Sequence, residues 1–219
     1  MRVVVAGGHG KIALILEGLL VARGDSVAGL IRNPAHSADV RRAGAGAVVL
    51  DLESSSVEQV AEHLVGADAV VFAAGAGPGS GIERKATVDR DAAILLADAA
   101  EAAGVRRYLM VSAMGADGTP DESGDPVFAA YLEAKAAADA DVRARGALTS
   151  TIVRPGLLTY EPGTGRVRVA ESTGRGSIPR ADVAAVLVAL LDQPGTGGVT
   201  FELISGDTPI ADATSALAR

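Results

Sequence analysis

Cysteine is absent from the 219 residues. That excludes disulfides, thiolate catalysis and cysteine-ligated metal. Tryptophan is absent too, and aromatic residues make up only 3% of the chain against 48% hydrophobic residues. The core must therefore be built from Val, Leu, Ile and Ala, a mix that suits parallel strands covered by helices on both faces. The sole asparagine, Asn33, precedes a proline and is no glycosylation acceptor. No apolar run reaches the roughly 18 residues that span a membrane. No basic segment followed by an apolar run opens the chain, so no secretory signal is expected. Basic clusters are also missing, and the formal net charge is −7. This points away from nucleic acid and anionic membranes as partners. Three scattered histidines (His9, His36 and His63) suggest no metal site. The expectation is a soluble cytoplasmic protein, monomer or homodimer, acting on a small molecule.

What is present alternates. "RVVVA" (2–6) reads as a buried strand and "KIALILEGLLVARG" (11–24) as a helix closed by a glycine. Strands follow at 26–32 and 47–52, with a short helical turn "SADVRRAG" between them. A helix at 55–66 has a Ser cap with Glu58 close behind. Then come a strand at 68–75, a long helix at 84–104, a strand at 106–113, a helix at 125–146 and a strand at 148–155. A turn-rich segment (156–179), a helix (180–193), a strand (199–205) and a terminal helix complete the chain. Strand–helix alternation with right-handed crossovers predicts one Rossmann-like α/β domain over 1–219, a doubly wound parallel sheet with helices on both faces. The segment 156–179 forms a small C-terminal substrate-side piece. Ligands in such sheets bind beyond the carboxyl ends of the strands.

The first strand meets "GGHG" and then a helix. Gly7, Gly10 and Ala13 have the spacing G-x-x-G-x-x-A. Gly7 allows the tight turn, Gly10 lets backbone approach a pyrophosphate, and Ala13 lets the helix pack close. The backbone from Gly7 through Gly8, His9, Gly10, Lys11 and Ile12, with the helix N-terminus, favours negative charge. The same spacing also serves a tight turn with no ligand. An acid ending the second strand would select NAD. Here the strand ends "GLIRNP", and Arg32 offers a guanidinium to a 2′-phosphate, so NADP(H) is favoured. Asp51 and Leu52 follow the third strand, near the expected adenine, although Asp51 reads equally well as a turn residue. Ala73, Ala74 and Gly75 follow the fourth strand and let the cofactor pass close to backbone.

Tyr131 and Lys135, in "YLEAK", lie four apart on a helix and share a face. An ammonium beside a phenol lowers its pKa, and the phenol then gives or takes a proton at a carbonyl or alcohol. The plainer alternative packs Tyr131 with Val127, Ala134 and Ala138 and leaves Lys135 in solvent.

With the glycine turn, "VSA" at the fifth strand's end and Y-x-x-x-K, the chain resembles the short-chain dehydrogenase/reductase superfamily. "TIVRPG" (151–156) and "IPRADVA" (178–184) are similar to its atypical NAD(P)H-binding, epimerase/dehydratase-like branch, which is related to flavin and biliverdin reductases and to NmrA-like regulators. The resemblance implies Tyr131 as acid/base, Lys135 as its partner and ribose ligand, Ser112 as a third catalytic group, and Pro155 and Gly156 near the nicotinamide. The serine offset varies in that superfamily. If the position falls on Ala113 or Met114, the third group is missing. Asp89 stands where many members carry a helix asparagine. The segment 156–179 is shorter than the C-terminal lobe of sugar epimerases, which points away from a nucleotide-sugar. The resemblance implies an NADP(H)-dependent oxidoreductase acting on a small carbonyl, quinone or flavin. The alternative is a non-catalytic NADP(H)-binding sensor acting through a protein partner.

Overall fold

The computed structural model describes residues 1–77, 79–118 and 124–218. Strand β1 (Arg2–Ala6) leads into helix α1 (Lys11–Ala22), then β2 (Ser26–Ile31), α2 (Ser37–Arg42), β3 (Gly46–Val49), α3 (Val57–Leu64) and β4 (Ala69–Phe72). Next come α4 (Ile82–Arg84), a π-helical stretch (Lys85–Asp91), α5 (Ala92–Ala102), β5 (Arg107–Val111), α6 (Pro126–Ala144) and β6 (Thr149–Pro155). The remainder holds β7 (Leu157–Thr159), β8 (Arg166–Ala170), β9 (Ser177–Pro179), α7 (Arg180–Leu191), β10 (Val199–Ser205), β11 (Thr208–Pro209) and α8 (Ile210–Ser215).

The main sheet runs β11-β8-β10-β6-β5-β4-β1-β2-β3. Every pairing from β3 to β10 is parallel, while β8 runs antiparallel to both β10 and β11. Strand order reverses at β1, between β4 and β2, and the sheet's crevice opens at that point. β1 shows why the apolar run needed no alternation. Val3 and Val5 join one core with α1 and α7, while Val4 and Ala6 join the other with α3, α5 and α6. Both faces are buried, so every position from Val3 to Ala6 is apolar.

Three local readings change. The segment 156–179 is not only turns: it contains β7, β8 and β9, and β8 is a strand of the main sheet. The third strand ends at Val49 rather than Leu52, because the Asp51 side chain accepts the Glu53 N–H (3.0 Å) and turns the backbone away. On α3, the Ser56 cap closes a capping box with Gln59, not Glu58.

One core position is at odds with its surroundings. Glu17 on α1 is fully buried, and both its carboxylate oxygens lack hydrogen-bond partners among the described residues. Gly29 of β2 makes room for it, since a Cβ there would collide with Glu17 Oε1. Burial pushes the Glu17 carboxyl from 4.5 up to about 8. The folded state then holds a proton that the unfolded chain has released between those values. Stability is therefore lost as pH rises through that window, and the loss is complete above about 8. Glu17→Met should raise stability by roughly 2–4 kcal/mol at pH 9 and by little near pH 5. Thermal melts across this range check it; a gain independent of pH would contradict the burial of an ionisable group.

Candidate active site

The glycine turn is a bare floor between β1 and β4. Gly7 adopts φ +80°, and its N–H and that of Gly8 both donate to the Leu30 carbonyl (3.2 and 2.9 Å). A Cβ on Gly7 would lie 2.5 Å from Ala74 Cα, and one on Gly10 would lie 3.0 Å from the Gly7 carbonyl oxygen. α1 starts without a side-chain cap, which leaves its first N–H groups without a partner, and its first residues, Lys11 and Ile12, line the crevice. Exposed N–H groups and the positive end of a helix are the chemistry a pyrophosphate requires. Ala13 is fully buried behind them.

Two lobes open from this floor and share Gly10, Ala73, Ala74 and Gly75, which makes one continuous cleft. The outer lobe, of about 330 Å³, is lined by Gly7, His9, Arg32, Asp51 and Leu52. His9 stacks on His36 at 3.6 Å and shares a hydrogen bond with Asp39 (2.9 Å), so it is a wall. Arg32 is half exposed and pairs with Glu53 at 2.7 Å. Glu53 also receives Arg84 (2.6 Å) and Thr87 (2.7 Å), and these donors hold its carboxyl down at about 2. Sequence reasoning missed Glu53 and Arg84. The nearest signal was an acid two residues beyond Asp51.

The inner lobe, of about 720 Å³, is lined by Lys11, Ile12, Ser112, Tyr131, Lys135 and Pro155, together with Lys85, Asp89, Tyr160 and Arg180. Two cofactor assignments do not reach either lobe. Gly8 is buried beneath the turn, against Gly29. Gly156 lies where β6 passes the Gly176 carbonyl, too close for any Cβ.

The Tyr131 phenol shifts in the opposite direction to that expected from Lys135, with burial as the main cause. Lys135 is buried, donates to the Val111 carbonyl (3.1 Å) and lies 3.4 Å from Asp89. Its ammonium stays 5.9 Å from the Tyr131 ring centre. Burial raises the Tyr131 phenol well above its ordinary value, and the carboxylates of Asp89 and Asp139 add to the rise. Lys135 itself is lowered by burial, against the opposing pull of those same acids. Asp89 reaches the cleft from the π-helical stretch, where its other oxygen accepts the Ala76 N–H (3.2 Å). Lys85, from the same stretch, donates to the Gly77 carbonyl (3.0 Å) and sits 5.4 Å from the Tyr131 ring centre. A π-helical turn is a frequent device at functional sites, and its composition did not announce it.

Ser112 is 3% exposed, and its hydroxyl has no hydrogen-bond partner among the described residues. It lies close enough to Asp139 to oppose the rise that burial imposes on that carboxyl, without closing a well-formed hydrogen bond. Behind it, Arg154 binds Asp139 through Nε (2.8 Å) and Asp117 through its Nη atoms. Arg154 of "RPG" is thus a buried structural cation, and only Pro155 of that motif lines the cleft.

The comparisons agree with this geometry. A family model described as NAD(P)H-binding matches residues 7–194. YhfK of Bacillus subtilis (strain 168), an uncharacterized sugar epimerase, is 40% identical over 99% of this chain and 100% of its own. A Bacillus halodurans structure with the provisional name NAD-dependent epimerase/dehydratase superposes with TM-score 0.90 at 39% identity, covering 99% of each chain. The oxidoreductase YlbE of Lactococcus lactis superposes with TM-score 0.87 at 26% identity, over 99% of this chain and 96% of its own. With the glycine cradle, the open helix N-terminus and a match over most of its length, the chain belongs to the NAD(P)H-binding family.

Proposed function

We propose that the chain is an NADP(H)-dependent oxidoreductase that reduces a small carbonyl compound, a quinone or a flavin. One observation carries this reading: the cleft that begins at the glycine cradle continues into a lobe walled by Tyr131, Lys135 and Asp89. A nicotinamide, when bound, supplies or accepts the hydride. The chain's own residues do the rest. Gly7, Gly10 and the N-terminus of α1 bind the pyrophosphate, and Arg32 binds the 2′-phosphate. Lys135, fixed by Asp89 and the Val111 carbonyl, orients the nicotinamide ribose. Tyr131 donates a proton to the substrate oxygen. Its raised pKa keeps it protonated across the neutral range, so it suits reduction better than oxidation. Val111, Ala113 and Leu158 exclude water from the reacting end. The sugar substrate suggested by the name of YhfK is not adopted, because Phe128 and Leu158 give the lobe an apolar wall.

Titration with NADPH and NADP⁺, then loss of NADPH absorbance over a set of quinones, flavins and aldehydes, tests the reading. Tight cofactor binding with no turnover would instead support a cofactor sensor acting through a protein partner. The commitment of the Lys135 ammonium to Asp89 favours that second reading. Arg32→Ala should weaken NADPH about 10–100-fold and leave NADH within about two-fold, the size of a lost charge-assisted hydrogen bond. Equal weakening of both would remove the 2′-phosphate role.

A further inference from the structure

In a chain of net charge −7, the inner lobe collects cations. Its acids are already engaged: Asp89 pairs with Lys135, and Asp125 accepts the Val127 N–H at the start of α6 (2.9 Å). Lys11 and Arg180 have no ion-pair partner among the described residues. They meet at Tyr160. Lys11 Nζ hydrogen-bonds the Tyr160 hydroxyl and lies 4.5 Å from its ring centre, and Arg180 Cζ lies 4.3 Å from that centre. Arg180 uses one nitrogen, Nη1, to donate to the Leu158 and Thr159 carbonyls (3.2 and 2.9 Å). Its Nε and Nη2 make no hydrogen bond among the described residues. A guanidinium fixed along one edge and free along the other matches the two oxygens of a carboxylate or phosphate. Lys11 and Arg180 line the inner lobe and not the outer one; Lys11 opens α1 directly after the glycine turn, and Arg180 opens α7. Leu158, whose carbonyl accepts from Arg180, and Phe128, which packs on Tyr131, add apolar surface to the same lobe.

We propose that Lys11, Tyr160 and Arg180 form an anion-binding subsite for the substrate: a flat apolar molecule with a carboxylate or phosphate at one end and its reducible group toward Tyr131. This rests on the oxidoreductase reading of the lobe. The probes are naphthoate and its neutral isostere naphthamide, titrated calorimetrically with and without NADP⁺. Naphthoate should bind at least about ten-fold more tightly than naphthamide. Arg180→Gln should abolish the preference while NADPH affinity stays within about two-fold, and Arg180→Lys should keep part of it. Because Arg180 also ties down the Leu158 and Thr159 carbonyls, Lys11→Gln provides a second variant. It should lower naphthoate affinity and leave naphthamide unchanged. Equal binding of the two probes by the unaltered protein would overturn the subsite. So would Arg180→Gln weakening NADPH as much as naphthoate, which would assign the cations to the cofactor's phosphates. Naphthoate preference with no turnover on any carbonyl, quinone or flavin would sink the reaction and keep the subsite. Turnover with no preference would do the reverse.

Discussion

Tyr131→Phe is expected to lower turnover by about 100–1000-fold while NADPH affinity stays unchanged. General acid catalysis by a placed side chain contributes about 10²–10⁴-fold, and the substitution removes one oxygen without changing the ring. The aromatic contact with Phe128, at 5.9 Å between ring centres, survives, and so does the packing of α6. The pH profile supplies a second readout. A phenol lowered toward neutrality by an adjacent ammonium would impose a limb on reduction near pH 7. Burial and the carboxylates of Asp89 and Asp139 raise this phenol instead, so the rate of reduction should show no limb from Tyr131 between pH 6 and 9. Unchanged turnover in Tyr131→Phe would remove Tyr131 from the reaction.

The largest stability effect is expected at Asp139. Its carboxylate is fully buried and meets Arg154, itself 6% exposed, at 2.7–2.8 Å. Asp139→Ala leaves a buried guanidinium whose other partner, Asp117, is a largely exposed side chain. Breaking one side of a buried ion pair costs about 3–5 kcal/mol. For a domain of this size that is on the order of 10 °C in Tm. Asp117→Ala should cost far less, because water can replace it. Replacing both members, Asp139→Leu with Arg154→Met, should recover most of the loss, since an apolar pair of similar volume is often neutral or better. Urea unfolding of the three variants measures the ordering. A double variant no more stable than Asp139→Ala would mean that the pair also specifies the local fold.

The parts legible in the sequence are those whose cause is local. β1, β4 and β5 each carry four consecutive apolar residues, preceded by an arginine in β1 and β5, because both faces of the sheet are buried. The glycine turn is readable because its backbone conformation admits no side chain at Gly7. What escaped depends on distant residues. β8, "RVRVA", is short and sits among glycines, and its partner β10 lies some thirty residues on. Lys135 was visible four residues from Tyr131, but the burial that sets the phenol's pKa was not. Asp89 adds to it from another helix, and Asp139 from two turns further along α6 itself. The Lys11–Tyr160 contact joins residues 149 apart. No window of sequence contains it.

The pairing of β8 with β10 and β11 bears on how the cleft admits its guest. Within residues 156–179, β8 is woven into the sheet edge, and β7 and β9 pair with each other, so lifting the segment as a flap would break a ladder of backbone hydrogen bonds. Side chains at the rim, Tyr160 and Phe128, are more than half exposed and can swing without that loss. Rotamer changes of exposed side chains take picoseconds to nanoseconds, whereas lid opening is far slower. Entry is then a matter of turnstiles rather than doors. Descendants of this scaffold can change what they admit by exchanging one or two rim residues, with no loop to rebuild.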